Sequence, residues 1–589
     1  MSQFKQVLVE HRWVFILAIL TSVIVSFPQI YFRVDHGEGR FGDGIYQGIE
    51  LLPDSPWSAR VREVQDGHPN FGSIYYKEGK GDPYLFQPLG SMVAAYAGKL
   101  FSLGINNTIL LSRLALTFFT SLLIYAFVYL FSREKIVALC CTAVLLLAES
   151  ILSYFGLKQI LQGISPEDFL RIARPVNPAM IYILFFGFMT AFWLFYQKGT
   201  WRYGILSAIL LGLNFYNYFY SWTFLYAFGG FLFLILIIRK NWQKAFKIGT
   251  VFVGALLLMI PYAINFYRAT LHPAYAEASV RFGVIETHAP LFVGFVVIVA
   301  LVIFLWKFPR EDREKYIFGL ALLLAPFLTM NQQLLTGKVL QAAHYHWFFH
   351  KPIAVIFTLI VVFYLLERYK LFLYKKVLAV LIISTSIATG VFVQGTSYVG
   401  GDNDGGSVAI ERQKYGPVMK WLNANAEKEA VVMSNNETSH MVAIYTPLNL
   451  FYHRAAMYSL AATKERLLEV WFTFYRLNGV GATDAREKIF ADRELVSANI
   501  YGMYYRELLG AYEAIPDEKI EEIVKLYEKG LTISNSKWLK QMMDKYEVEY
   551  IVWDKNNNPT WELDQYDYLN KVVDFSDYNL AIYHFRPYP

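Results

Sequence analysis

Cysteine and charge are what this chain has least of. Its only two cysteines, Cys140 and Cys141, are adjacent inside an apolar run. Neighbours in sequence are too cramped for an ordinary disulfide, so no covalent staple shapes the fold. Charged residues make up 17% of the chain, against roughly 25% in a soluble domain, which excludes an ordinary water-soluble globule. No A-x-A cleavage site follows the first apolar run, so that run reads as a retained anchor. The C-terminal third carries no glycine-rich phosphate loop, no metal-spaced His/Cys cluster and no nucleophile elbow, and its role is not legible from motifs.

What is present is apolar surface. Of 589 residues, 55% are hydrophobic and 17% aromatic, and several runs reach the roughly 18 residues that cross a bilayer. We expect about eleven spans, near 13–31, 108–131, 136–155, 180–196, 203–216, 220–238, 246–267, 291–306, 316–330, 353–366 and 377–393. Every second connection is basic, from Arg133 and Lys135 through to Lys375 and Lys376. The positive-inside rule therefore places the N-terminus in the cytoplasm of a plasma (inner) membrane protein. The net charge of +6 follows from that topology and needs no nucleic acid.

The fold class expected is a multispanning α-helical membrane protein with a C-terminal soluble α/β domain. The membrane domain covers 1–394, with a long first outer loop at 33–106. A Gly/Asp-rich linker near residue 400 opens the extracytoplasmic domain, 395–589, of roughly 190 residues. There GPVMKWLNANAEKE reads as a helix before the strand EAVVMS, WLKQMMDKYEVEYIVWD as helix then strand, and KVVDFSDYNLAIYHF as a terminal hairpin.

The first outer loop is the segment the rest is organised around. It is long, acidic and rich in aromatics; loops of that length are usually functional or disordered, and the apolar surface of its aromatics argues against disorder. Trp57, Val61 and Val64 fall on one helical face, so SPWSARVREVQDG reads as a short amphipathic helix lying on the membrane, with Ser55 as cap and Pro56 in the first turn. Asp54 stands just outside it, with an aromatic at +3 (Trp57) and Arg60 at +6. A carboxylate so placed serves as a general base, or holds a divalent cation such as Mg or Mn against a phosphate. Asp35, Asp43 and Asp66 are further acidic candidates in the loop.

This pattern of Asp, aromatic and Arg directly after the first span resembles the first acidic motif of the oligosaccharyltransferase catalytic subunit. More broadly it resembles the GT-C superfamily of polyprenyl-phosphate sugar transferases, with the protein O-mannosyltransferases and the lipid A aminoarabinose transferase. PYLFQPLGSMVAAYAGKLF before the second span and the outer segment ending RIARPVNPAM extend the likeness. The WWDYG acceptor signature of the oligosaccharyltransferases is absent. The superfamily's second acidic motif belongs in the next outer loop, where SPEDF supplies Glu167 and Asp168.

The resemblance implies transfer of a sugar from a polyprenyl-(pyro)phosphate donor to a lipid, glycan or protein acceptor on the outer face, with inversion. Asp54 is then the catalytic residue. Arg60, Arg174 (paired in sequence with Arg171), Arg281, Lys338, Gln341 and His344 are candidates for the donor phosphate and sugar, all in expected outer segments. Asn214 and Asn217 mark a tight outer hairpin among aromatics. Two other classes fit the composition: a lipid-linked sugar flippase or transporter, and a non-catalytic scaffold or sensor of the same architecture.

Overall fold

Inside a bilayer the backbone has no water to bond, so an apolar run of membrane length closes its own hydrogen bonds as a helix. The computed structural model describes residues 6, 9–40, 56–164, 170–396, 410–502, 504–508 and 515–585, and a helix lies on every expected span. From the N-terminus these are α1 (Arg12–Arg40), then α2 (Trp57–Gln65) and α3 (Leu89–Leu100) in the first loop, α4 (Ile105–Ser132), α5 (Lys135–Leu147) and α6 (Tyr154–Leu161). There follow α7 (Ala179–Lys198), α8 (Trp201–Asn214), α9 (Phe219–Ile238), α10 (Trp242–Thr270), α11 (Tyr275–Arg281), α12 (Phe295–Lys307), α13 (Arg313–Met330), α14 (Lys351–Arg368) and α15 (Phe372–Thr396).

Among the described residues, 8 helices are long and apolar enough to cross a membrane. The helices α5, α8 and α12 have only 13, 14 and 13 residues. The reasons are local. The α5 run is cut at Ala148, immediately before Glu149, and α8 stops where Asn214 turns the chain back into α9. The start of α12 waits for Gly294, whose φ of +103° suits glycine.

Antiparallel connections put the basic loops at one end of the bundle. There Lys135 meets Glu10 at 2.8 Å, and Lys375 meets Glu134 at 3.1 Å and Glu367 at 2.5 Å. The interior is aromatic: Trp193 packs on Phe131 and Phe318 with ring centroids 4.9 and 4.8 Å apart, in tilted and edge-on geometry that suits the ring quadrupoles. At the opposite end two connecting segments join through an antiparallel pair, β1 (Val284–Glu286) on β2 (Lys338–Leu340), in which Ile285 faces Val339.

Beyond residue 410 comes a mixed five-stranded sheet in the order β4-β3-β5-β7-β6. Its strands are β3 (Val431–Met433), β4 (Asn449–Leu450), β5 (Val548–Asp554), β6 (Leu569–Phe575) and β7 (Leu580–Phe585). The parallel strands β4, β3 and β5 form one half, and β7 and β6 add antiparallel. The expected helix-then-strand units appear as α16 (Gly416–Asn425) before β3 and α19 (Asn535–Lys545) before β5, with α17 (Asn436–Tyr445) and α18 (Lys464–Leu477) between. β6 and β7 are the expected hairpin.

The first loop is threaded into this sheet domain. The Leu450 amide donates to the Tyr75 carbonyl at 2.7 Å, and the Tyr75 ring stacks on His453 at 4.1 Å. Arg466 lies 3.7 Å from the Tyr546 ring and 4.4 Å from Tyr76, and donates to Glu78 at 2.9 Å. This corrects one expectation. The α2 helix does not lie on a membrane surface: Ser58, Ala59, Arg60, Val61, Glu63 and Val64 are all buried, because α3 covers one side and α17 another. Ser55 lies outside the described residues, and Pro56 takes the cap position with no side-chain cap.

Candidate functional site

Because α2 is enclosed on several sides, its polar residues are carried inward with its apolar ones. Arg60 is 2% exposed. Its guanidinium lies over Phe86 at 3.7 Å and Trp57 at 4.7 Å, and its Nε is buried without a hydrogen-bond partner. No carboxylate among the described residues pairs with it. Burial holds its pKa down from 12.5 to about 10. An uncompensated buried charge is costly, and the two π faces recover only part of that.

From Phe86 a continuous set of contacts runs along this end of the bundle. Phe86 packs on Phe282 at 4.7 Å, and the Phe282 carbonyl accepts from Gln341 Nε2 at 2.6 Å. Gln341 sits at a φ of +33°, and its own carbonyl accepts the His344 amide at 3.0 Å. The His344 Nδ1 is 2.6 Å from the Tyr218 hydroxyl, and its ring is flanked by Tyr220 at 4.9 Å and Trp347 at 5.5 Å. Arg171 lies 4.6 Å over the Trp347 ring and 3.6 Å from Glu149. Lys351 donates to the Glu149 carbonyl at 2.9 Å and lies 3.4 Å from its carboxylate. Burial pushes the Tyr218 phenol well above its ordinary pKa, and the charge of Arg174 opposes that rise; Arg174 ends the short turn that begins at Arg171.

The arrangement is an electropositive, aromatic-walled end of a membrane bundle. Arginine forks beside aromatic rings suit a phosphate or diphosphate, and buried donors of this kind stabilise negative charge as it develops. Of the sequence candidates, Arg60, Gln341, His344 and Arg174 lie along one arc. Arg281 borders it but is committed elsewhere: its Nε donates to the Met457 carbonyl at 2.8 Å, its Nη2 to the Ala462 carbonyl, and Glu277 lies 3.5 Å away. Lys338 projects from the β1–β2 pair, 62% exposed and 3.4 Å from Glu286. Asp66 accepts from Arg62 at 2.7 Å at the end of α2. Asp43, Asp54, Glu167, Asp168 and the side chain of Asp35 lie outside the described residues. Among the described residues, no group of three or more His, Cys, Asp or Glu side chains could hold a metal ion.

Over most of its length the chain is structurally similar to an archaeal oligosaccharyltransferase. The apo crystal structure of the Archaeoglobus fulgidus enzyme matches with a TM-score of 0.47 and 13% identity, over 94% of this chain and 70% of that one. The same enzyme tethered through a disulfide to an acceptor peptide containing the NVT sequon matches with a TM-score of 0.45 and 13% identity, over 92% and 69%. No family model and no curated protein matches the sequence.

Three neighbours on the arc escape sequence reasoning. Glu149 and Lys351 organise Arg171, yet Glu149 falls inside a run drawn as a single span to residue 155. An acidic residue interrupting an apolar run was the available signal. Tyr218 lies in a hairpin where only the asparagines attract attention. Of those, Asn214 is used in the fold, accepting from Ser221 at 2.6 Å and donating to the Leu210 carbonyl at 2.8 Å. Asn217 is 2% exposed, with neither amide atom hydrogen-bonded to a described residue.

Proposed function

We propose that the protein is an integral-membrane glycosyltransferase of GT-C type, moving a sugar from a polyprenyl phosphate or pyrophosphate donor to a lipid, glycan or protein acceptor on the extracytoplasmic face. The observation that carries this reading is Arg60, a buried guanidinium held between aromatic faces with no acidic partner among the described residues. A site that keeps such a cation desolvated is prepared for an anion that arrives with the substrate. Its place in the loop after the first apolar helix suits a lipid donor, whose chain stays in the bilayer while its phosphate reaches the bundle end.

In this reading Asp54 deprotonates or orients the acceptor hydroxyl or amide. Arg60, Arg174 and His344 take up the negative charge that grows on the departing phosphate, and attack opposite to it inverts the anomeric centre. Residues 1–394 form the catalytic membrane domain and 395–589 an outer domain, with the basic bundle end in the cytoplasm.

Binding of a fluorescent short-chain polyprenyl phosphate to the protein in lipid nanodiscs tests the reading. Arg60→Met is expected to weaken binding at least tenfold, while the uncharged polyprenol binds wild type and variant equally weakly. Equal affinity of wild type and Arg60→Met for the phosphate would overturn it.

A further inference from the structure

A second site lies in the sheet domain, away from the arc. Strands β3 and β5 are parallel neighbours. The chain leaves β3 for β4 on one side and returns much later to place β5 on the other, so the sheet order switches between them. In open α/β sheets the crevice outside the carboxyl ends of strands at such a point is where ligands bind. Here that crevice is a cavity of about 440 Å³, lined by Asn435, Asn436 and Glu437 after β3, by Asn557 and Asn558 after β5, and by Glu411, Arg412 and Tyr415 before α16. The volume is in the range of small-molecule sites.

Its lining is polar but electrically matched. Arg412 Nε donates to Glu437 at 2.6 Å, and the Tyr415 hydroxyl donates to the buried Asp554 carboxylate at 2.7 Å. Glu411, the remaining charge of the lining, is mostly exposed and lies 3.4 Å from Lys414; with each of these charges paired among the described residues, none is left free to select an ionic ligand.

The amides differ. Asn435 uses both ends, accepting from the Thr438 amide at 2.8 Å and donating to Asn558 Oδ1 at 2.9 Å. Among the described residues, three others each use one end only. Asn558 Oδ1 takes that bond, and its Nδ2 has no partner. Asn436 Oδ1 accepts the Arg454 amide at 3.1 Å, and its Nδ2 has none. Asn557 Nδ2 donates to Asp554 at 2.7 Å, and its Oδ1 has none. Each amide is thus anchored by the fold, and together they present two donors and one acceptor.

A hydroxyl both donates and accepts, so a set of fixed, uncharged donors and acceptors matches a neutral polyhydroxylated molecule and discriminates against ions. Anchored groups lose little freedom on binding. From this geometry we infer that the cavity at the carboxyl ends of β3 and β5 binds a neutral saccharide unit, held by Asn436, Asn557 and Asn558. The inference goes beyond the transferase reading and does not require it, because a saccharide can be held here without being transferred here.

The test uses the full chain in nanodiscs and ligand-observed NMR, with a panel of neutral mono- and disaccharides, glucuronic acid, glucosamine and a neutral tripeptide as probes. The variant is Asn436→Asp combined with Asn558→Asp. Each substitution keeps the Oδ1 that accepts a bond from the fold and replaces only the free donor by an acceptor. At least one neutral saccharide is expected to bind the wild type, and the variant to weaken it about tenfold or more while keeping the wild-type thermal midpoint. If the double variant unfolds, Asn436→Asp alone serves in its place, since it replaces one free donor and keeps the oxygen that accepts the Arg454 amide. The inference is overturned if no neutral saccharide binds at millimolar concentration, if the charged sugars or the tripeptide bind instead, or if folded variants bind as well as wild type. None of these results depends on donor turnover, so they leave the transferase reading standing.

Discussion

Replacing Arg60 by methionine removes the charge and keeps most of the buried stem, and the structure predicts an unusual result: a more stable protein that no longer binds its donor. Burial holds the Arg60 pKa down from 12.5 to about 10, which corresponds to ~3 kcal/mol spent on keeping the cation desolvated. The contacts with Phe86 at 3.7 Å and Trp57 at 4.7 Å return about 1–2 kcal/mol. No side-chain hydrogen bond of Arg60 is lost, because its guanidinium makes none to a described residue. Arg60→Met is therefore expected to gain about 1–2 kcal/mol, read as a thermal midpoint raised by on the order of 1–3 °C in nanodiscs without ligand. Added polyprenyl phosphate should raise the midpoint of the wild type and leave that of the variant unmoved. A variant destabilised by about 2 kcal/mol or more would refute the reasoning, because Arg60 would then be holding the fold together.

Arg281 is expected to behave oppositely. Arg281→Met strands the carbonyls of Met457 and Ala462, which the guanidinium now satisfies, at a loss of about 2–4 kcal/mol; an unchanged thermal midpoint would contradict this. A pH dependence follows from the stacked pair His440 and His453, both fully buried. Burial holds His453 down to about 3 and His440 well below its ordinary 6.5. Both stay neutral in the folded state and take up protons only on unfolding. Their contribution is complete above pH 6.5 and declines as the pH falls from there, for His453 by ~1.4 kcal/mol per pH unit down towards 3 and for His440 in the same direction. Between pH 6.5 and 5 the wild type should lose more stability than His440→Leu, each taken relative to its own value at pH 7, and the loss that remains in His440→Leu should be ~2 kcal/mol, from His453. Equal slopes for the two proteins would remove the pair as the cause.

The membrane helices were legible because an apolar run in lipid has one stable backbone solution, and the strands β5 to β7 because short β-rich runs stand between turn residues. The break that shortens α5 was not legible, whereas the expected span 203–216 already had the 14 residues of α8. Hydropathy averages across Ala148 and Glu149 without registering that a carboxylate there is recruited by Lys351, some two hundred residues on. Arg60 was found by its spacing from Asp54 and Trp57, but its burial was invisible, since the periodicity of α2 reports one apolar face and not the helices that cover the others. Arg281 looked like a phosphate ligand from its place in an outer segment, while its partners Met457 and Ala462 belong to a domain whose docking no local pattern encodes. The saccharide cavity was hidden for the same reason. Asn435 and Asn436 meet Asn557 and Asn558 only after β3 and β5 pair, and each asparagine pair alone reads as turn chemistry.

The central claim, sugar transfer at this bundle end, is met most directly by a transfer assay on the purified protein in lipid. It would offer radiolabelled polyprenyl-linked sugars to wild type, Asp54→Asn and Arg60→Met, each with and without a chelator. The account predicts turnover by the wild type, loss of at least about two orders of magnitude in Asp54→Asn, and loss of donor binding as well as turnover in Arg60→Met. Chelator sensitivity would place a divalent cation in the acidic loop, and its absence would leave Asp54 as a metal-free base. Wild type that consumes no donor, or an Asp54→Asn protein that turns over as fast as wild type, would contradict the account.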